Sequence, residues 1–219
     1  MFEKRLNIVL DLDNTLVFGL EYSILKKNRI VFEVFDKSLK YADFIDPLTK
    51  INTYRIYARP YLKEFLDFLF KNFNVSVFTA ADKDYARFVI NNFILTKERK
   101  DKGYKLDFIF YRYHFNLSIT MYNKAKNLEM LWNYYKFYCF FPCNTLIVDD
   151  LEDVIRSNPN NSIQAKYFSI YNRGNVNFDA INDDDLLRVK YVIQLINYNY
   201  NYNECVKNFV LNKIENKLN

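Results

Sequence analysis

The stretch Ile8-Val9-Leu10-Asp11-Leu12-Asp13-Asn14-Thr15-Leu16 reads as an apolar strand that delivers two carboxylates and a hydroxyl into the turn behind it. Residues two apart in a strand point to the same side, so extended backbone past Leu10 sets Asp11 and Asp13 toward one site and returns Leu12 to the core. Two like charges so close are costly unless they share a proton or a cation. A hard divalent ion that prefers oxygen ligands, such as Mg²⁺, resolves the conflict. One carboxylate can then serve as nucleophile and the other as proton donor and acceptor. Taken alone, the same D-x-D-x-T spacing also suits a strand ending in a polar turn with an Asn14-Thr15 helix cap.

Outward from this run, residues 6–10 read as a buried strand, and two further apolar strands follow its plan: 75–78 runs into Thr79, and 145–148 ends at Asp149-Asp150. Residues 29–35 and 51–58 are β-branched and aromatic, which predicts a hairpin-like insertion joined by the polar segment 43–50. Arg59-Pro60 opens a helix with proline at its first position, followed by Leu62, Phe65, Leu66, Leu69 and Phe70 at helical spacing. An amphipathic helix is expected over 85–93, a charged loop over 97–105, and a strand pair over 106–110 and 113–120. A helix over 127–136 and a short strand over 165–170 complete the middle of the chain. Asp183-Asp184-Asp185 places negative charge at the start of a last helix over 186–196, where the helix dipole favours it.

Strand–helix alternation with continuous apolar strands predicts an α/β fold, a parallel central sheet flanked by helices, with small hairpin insertions and no large cap. In such sheets ligands sit at the carboxyl ends of the strands. Asp11 with Asp13, Thr79, and Asp149 with Asp150 all fall there. That coincidence is the strongest sequence argument for an active site.

With 219 residues, half of them hydrophobic and 19% aromatic, the chain can bury one sizeable core. Three Gly and four Pro leave little room for linkers or disorder. The abundance of Asn, Lys, Tyr, Phe and Ile reflects an AT-rich coding sequence rather than a function. A net charge of +5 suits an anionic substrate but is far from the basic stripe of a nucleic-acid binder, so direct nucleic-acid binding is not expected. Cys139, Cys143 and Cys205 form no C-x-x-C pair, and His114 is the sole histidine, which argues against zinc. Buried free thiols at Cys139 and Cys143, and a reducing compartment, are the expectation. No signal sequence or membrane span is read, so the protein is expected to be soluble and intracellular, in cytoplasm or nucleus.

A phosphotransfer site built on Asp11 needs an acid/base, which Asp13 supplies, and a hydroxyl for the phosphoryl oxygens, which Thr79 supplies. It also needs a lysine to offset developing charge and further acidic metal ligands, for which Asp149 and Asp150 are placed. The order D-x-D-x-T, Thr, Lys, Asp-Asp resembles the haloacid dehalogenase superfamily of phosphatases. Within it the chain is most similar to the small CTD phosphatase and NLI-interacting-factor-like group, which acts on the C-terminal domain of RNA polymerase II and carries the FCP1 homology domain. The match rests on Asp11 to Val17, Arg59-Pro60 with Glu64-Phe65-Leu66, and Val77-Phe78-Thr79-Ala80 with Tyr85-Ala86. Phe110-Tyr111-Arg112, Lys126-Asn127-Leu128 and Ile147 to Asp150 continue it. It covers residues 6 to 196 or so, with 1–197 expected as the catalytic domain and 198–219 as a helical or frayed extension.

The resemblance implies Asp11 as the nucleophile that forms a phosphoaspartate and Asp13 as the acid/base. Mg²⁺ would be held by Asp11, Asp150 and the backbone carbonyl of Asp13. Thr79 would bind phosphate, Thr15 organise the loop, and the lysine neutralise phosphate charge while paired with Asp149. The family's Lys-Asp-Leu reads Lys124-Ala125-Lys126-Asn127-Leu128 here, and Lys126 is preferred with Lys124 as the alternative. The family's Asp-Asn is Asp149-Asp150, and aspartate is at least as good a metal ligand. The insertion that shapes peptide recognition matches weakly between residues 18 and 58.

The leading expectation is therefore a Mg²⁺-dependent phosphatase for phosphoserine or phosphothreonine in a protein or peptide. The alternatives are a related phosphatase for a small-molecule or polynucleotide 3′-phosphate ester, and a catalytically silent phosphoprotein-binding module like the mitochondrial import receptor of this fold. Arg59 is expected as a structural partner at a strand–helix junction, Arg112 as either an exposed strand residue or a phosphopeptide contact, and the aromatic run 132–141 as core.

Overall fold

The computed structural model describes residues 5–200 and 205–206. Strand β1 (Asn7–Leu10) is followed by an insertion made of β2 (Val17–Glu21), helices α1 (Tyr22–Lys27) and α2 (Arg29–Ser38), β3 (Tyr41–Ile45) and β4 (Asn52–Ala58). Helix α3 (Leu62–Asn72), β5 (Asn74–Phe78), α4 (Lys83–Val89), α5 (Lys97–Asp101), β6 (Ile109–Phe110) and α6 (Arg112–Tyr122) come next. The chain then runs through β7 (Thr145–Asp149), α7 (Glu152–Ser157), β8 (Ser162–Gln164), the hairpin β9 (Tyr171–Asn172) and β10 (Asn175–Val176), and α8 (Asp185–Tyr200).

The central sheet has the order β6-β5-β1-β7-β8 and is parallel throughout. Side chains alternate across it as the pleat requires. Ile8, Leu10, Val75, Val77, Leu146 and Val148 pack on one face with α3, α4 and α8, while Val9, Phe78 and Ile147 pack on the other with Val154 of α7. Both faces are covered, which is why these strands are continuous apolar runs. Each fully buried aliphatic side chain contributes about 1.5–3 kcal/mol. The insertion forms a separate antiparallel sheet, β2-β4-β3, with its own small core of Phe18, Leu20, Phe32, Phe35 and Tyr57.

Several local expectations are corrected. Residues 29–35 lie in helix α2: Phe32, Phe35 and Leu39 are buried at spacings of three and four, while Ile30 is 83% exposed. β-branched content misleads in a short segment whose burial has helical period. Residues 113–120 are likewise helical, in α6, because Ser118 and the aromatic face of that helix close over the sheet face that carries Val9, Phe78 and Ile147. Residues 165–170 are extended but form no strand. Their amides bond instead to Asp149 O, Asp185 Oδ2 and Asn14 O, at 2.9, 2.7 and 2.7 Å. Helix α5 occupies the first part of the expected charged loop, and the expected helix 127–136 is a single π-helical turn, Met130–Tyr134. A second π turn, Ile90–Ile94, extends α4. Pro60 precedes the helix: Tyr61 turns through a left-handed conformation (φ 60°) and α3 starts at Leu62.

The cysteine expectation is overturned as well. Cys139 is exposed, and Cys143 forms a disulfide with Cys205, Cα–Cα 4.5 Å, across 62 residues of sequence. Residues 205–206 lie beside the approach to β7, where the Val206 amide bonds to Cys143 O at 3.1 Å. Local spacing carries no trace of such a closure. Apart from α8 as far as Tyr200 and residues 205–206, the extension expected at 198–219 lies outside the described residues.

Candidate active site

Three adjacent strands end at one place. Asp11 follows β1, Thr79 follows β5, and Asp149 and Asp150 close β7. Leu12 is fully buried in the main core, so the chain does turn it inward between the two aspartates. Asn14 then takes a left-handed conformation (φ 60°), which asparagine tolerates better than other side chains. The Leu16 and Val17 amides bond back to Leu12 O at 2.8 and 3.0 Å and shut the loop. Arg59, fully buried, pins it from below. Its guanidinium donates to Thr15 O at 2.9 Å and forks onto Asp183 at 2.7 and 2.9 Å, the structural part expected of it.

Lys126 is the only side-chain cation in contact with the cluster among the described residues. Its Nζ lies 2.5 Å from Asp11 Oδ1 and 2.7 Å from Asp149 Oδ2, and Lys124 makes neither contact. Residue order gives no sign of what holds it. Lys126 has a left-handed backbone (φ 45°), a strained conformation for a long side chain that its surroundings must enforce. Ser118 Oγ donates to Lys124 O at 2.6 Å and accepts from the Asn127 amide at 2.8 Å. Asn158 donates to Lys126 O at 3.1 Å and accepts from the Leu128 amide at 2.9 Å. Ser118 lies in α6 and Asn158 follows the last residue of α7, and no residue spacing links either to Lys126.

Asp150 accepts from Thr15 Oγ1 at 2.8 Å, and its amide donates to the same oxygen at 3.0 Å, so Thr15 ties β1 to β7. Asp149 accepts from Lys126 through Oδ2 and from the Leu151 amide through Oδ1. Thr79 is buried, with Oγ1 accepting from the Ala81 amide at 3.1 Å, which leaves its proton available to a ligand. Asp13 takes a hydrogen bond from Tyr85 Oη at 2.5 Å.

Carboxylate oxygens of Asp11, Asp149 and Asp150 lie within 4.8 Å of one another, with Asp13 beside them and one ammonium between. The electrostatics follow from that imbalance. Burial, with Asp11 nearby, pushes the Asp13 carboxyl up to about 6 even though the Tyr85 hydrogen bond opposes it. Burial and Asp11 push Asp149 and Asp150 upward too. Burial works to lower Lys126, yet Asp11 and Asp149 outweigh it and hold the ammonium charged. The donors are all hard oxygens carrying surplus negative charge, a set that suits a small divalent cation and a phosphoryl group.

The site opens into a groove of about 750 Å³ that starts at Asp13 and runs between the insertion and α4, walled by Phe18, Phe44, Tyr54, Tyr85 and Tyr167. Arg112 lies on its rim at the start of α6, donating to Ala80 O at 3.2 Å and pairing with Asp82 at 3.0 Å. It is not a strand residue. His114 stacks on Phe110 with centroids 4.2 Å apart and accepts from the Tyr111 amide, which fixes it as a structural residue. Trp132, Tyr135, Phe137 and Phe140 pack on the sheet face that carries Val9, Phe78 and Ile147, whereas Tyr138 is 93% exposed.

The profile of the family described as NLI interacting factor-like phosphatase matches residues 6–202. The chain belongs to this family. It is 37% identical over 190 residues to the CTD phosphatase-like protein 355R of Invertebrate iridescent virus 6, covering 85% of this chain and 96% of that one. The corresponding 355R protein of Invertebrate iridescent virus 3 is 33% identical over 195 residues, covering 87% and 96%. Among solved structures, Fcp1, an essential RNA polymerase II CTD phosphatase, superposes with a TM-score of 0.66 at 15% identity, covering 94% of this chain and 70% of Fcp1. A fission yeast Fcp1 bound to beryllium fluoride gives the same TM-score at 16% identity, with the same coverage. The α/β fold is that of the haloacid dehalogenase phosphatases, and this family member is a CTD phosphatase-like enzyme. Among the described residues no helix is long and apolar enough to cross a membrane.

Proposed function

We propose that this phosphatase hydrolyses phosphoserine or phosphothreonine in a protein chain, through a phosphoaspartate formed on Asp11 with Mg²⁺ as cofactor. The reading is carried by one observation: two carboxylates two residues apart meet different partners. Asp11 contacts the Lys126 ammonium at 2.5 Å, while Asp13 contacts the Tyr85 hydroxyl instead and burial pushes its carboxyl up to about 6, so that it can carry a proton. Environments that separate two carboxyl groups in this way assign nucleophile and acid.

In the first step an Asp11 oxygen bonds to phosphorus as the phosphorus–oxygen bond to the substrate breaks, and Asp13 gives its proton to the departing alkoxide. In the second, Asp13 takes a proton from water as that water attacks phosphorus, which releases inorganic phosphate and regenerates Asp11. Thr79 donates to a phosphoryl oxygen, and Lys126 offsets the charge that develops there. Asp11, Asp150 and the Asp13 carbonyl are the groups that would hold Mg²⁺, with Asp149 as the partner that orients Lys126. When bound, the ion neutralises the surplus negative charge of the cluster and of the phosphate.

The protein substrate is supported by the groove that leads away from Asp13, over which no separate domain lies among the described residues, so that it can take an extended chain. Residues 1–197 are proposed as the catalytic unit. Purified protein with Mg²⁺ is expected to release phosphate from p-nitrophenyl phosphate and to prefer phosphoserine peptides over nucleotides and 3′-phosphorylated oligonucleotides. Asp11→Asn is expected to lower turnover by at least about 10³-fold. Activity that survives that substitution, or that EDTA leaves untouched, would refute the mechanism. Preference for a nucleotide or oligonucleotide would refute the protein substrate.

A further inference from the structure

The insertion does more than wall the groove. Tyr85 projects from α4, and its ring is clamped edge-on by two aromatic rings of the insertion sheet, Phe44 at 5.4 Å and Tyr54 at 6.0 Å between centroids. Its hydroxyl reaches across to Asp13 Oδ1 at 2.5 Å. Gly19 of β2 lies beside that hydroxyl. A Cβ built on Gly19 would meet Tyr85 Oη at 2.9 Å, closer than real Cβ contacts come, while its next neighbours, Tyr54 Cδ1 and Tyr85 Cζ, would be at 3.8 and 3.9 Å. Gly19 is not in the left-handed region, and it pairs in register with Ile56 of β4. It is therefore not needed for backbone conformation. Its lack of a side chain is what lets the Tyr85 hydroxyl occupy that position.

We propose that Tyr85 is a positioning residue for the acid/base Asp13, and that Gly19 of the insertion is the gap that allows it. The inference rests on the phosphatase reading above. With Oδ1 engaged by the tyrosine, the carboxyl is fixed in one rotamer and Oδ2 is the oxygen that passes the proton to the leaving group. A tyrosine clamped by aromatic neighbours has little freedom to swing aside, so a group added at Gly19 displaces the hydroxyl from Asp13. The insertion thereby reaches the chemistry through a single side chain.

The consequence is specific to the leaving group. Departure of p-nitrophenolate needs little protonation, whereas departure of phenolate or a serine alkoxide depends on it. The measurement is kcat/KM for p-nitrophenyl phosphate and for phenyl phosphate, with Mg²⁺, in the wild type, Tyr85→Phe, Gly19→Ala and the double variant. Tyr85→Phe keeps the packed ring and removes only the hydroxyl. It is expected to lower kcat/KM for phenyl phosphate by about 30-fold and for p-nitrophenyl phosphate by no more than about threefold, a part of the roughly 10²–10⁴-fold that general acid catalysis supplies. Gly19→Ala is expected to reproduce that pattern by itself and to add nothing in the Tyr85→Phe background, where the clashing oxygen is gone.

An equal loss on both esters, no loss on either, or the same Gly19→Ala effect in both backgrounds would overturn the proposal. The Tm of the four proteins gives a readout that needs no turnover. Gly19→Ala is expected to lower it with tyrosine at position 85 and not in the Tyr85→Phe background. If the wild type hydrolysed neither ester, the phosphatase reading would fall and the catalytic part of this proposal with it. The Tm cycle would still decide whether Gly19 makes room for the hydroxyl.

Discussion

Two side-chain clusters in this molecule have the same formal make-up, one cation between two aspartates. In the insertion, Arg55 forks onto Asp43 at 2.7 and 3.0 Å and donates to Asp36 at 2.7 Å, while the Tyr57 hydroxyl donates to the remaining Asp36 oxygen, also at 2.7 Å. At the end of the parallel sheet, Lys126 lies between Asp11 and Asp149. The guanidinium is a rigid fork with enough donors to saturate its partners, and the cluster closes on itself. The ammonium is a point charge, and Asp13 and Asp150 crowd the same space with no second cation among the described residues. One cluster is complete and pins β3, β4 and α2 together. The other is short of positive charge, which is the condition for taking up a metal ion and a phosphoryl group.

Removal of each cation tests that contrast. Lys126→Met strands two buried carboxylates and is expected to destabilise the fold by about 3–5 kcal/mol at neutral pH, read by urea titration. It should also lower phosphate release from p-nitrophenyl phosphate by about 10²–10³-fold. A stable, active variant would show that the site does not depend on its one ammonium.

The next effect is a pH dependence in metal-free protein. Asp13 is pushed from an ordinary 3.8 up to about 6 in the folded chain, so between those values the native state holds a proton that the unfolded state has released. Its contribution to stability is complete below about pH 4 and is lost as pH rises toward 6, by at most about 3 kcal/mol for a shift of some two units. Asp150 is raised as well and works in the same direction. Added Mg²⁺ should restore stability above pH 6. A rise in metal-free stability across this window would contradict the crowding of the cluster.

Arg55→Met should cost about 1–3 kcal/mol, since it leaves Asp36 and Asp43 half-buried without their partner. Hydrolysis of p-nitrophenyl phosphate should stay within about twofold of wild type. A much larger loss of activity would make the Arg55 cluster part of the catalytic apparatus and break the comparison. The smallest effect is expected from Ser118→Ala, which removes two hydrogen bonds from the Lys126 loop. About 1–2 kcal/mol of stability, read by thermal unfolding, should go with it.

The two regions also differed in how far they could be read from residue order. Strand ends at Leu10, Phe78 and Val148 were legible because buried parallel strands are uninterrupted apolar runs, and the polar residues after them could only lie at the carboxyl edge. The insertion was misread over 29–35, since Ile30, Val31 and Val34 have strand character while Phe32 and Phe35 bury with helical period. α6 was misread for a related reason: the task of Ser118 is set by Lys124 and Asn127, across a turn that periodicity does not describe.

By itself the sequence determined the parallel sheet, the spacing of Asp11 and Asp13, and the strand-end positions of Thr79, Asp149 and Asp150. These depend on local alternation and on where apolar runs stop. Only the tertiary structure decided that Lys126 rather than Lys124 meets Asp11, that Cys143 bonds to Cys205, and that Tyr85 holds Asp13 through a gap left by Gly19. Each of those contacts joins residues 60 or more positions apart, and no local periodicity encodes the distance between them. They exist because packing the two faces of one sheet, and an insertion against α4, brings together side chains that lie far apart along the chain.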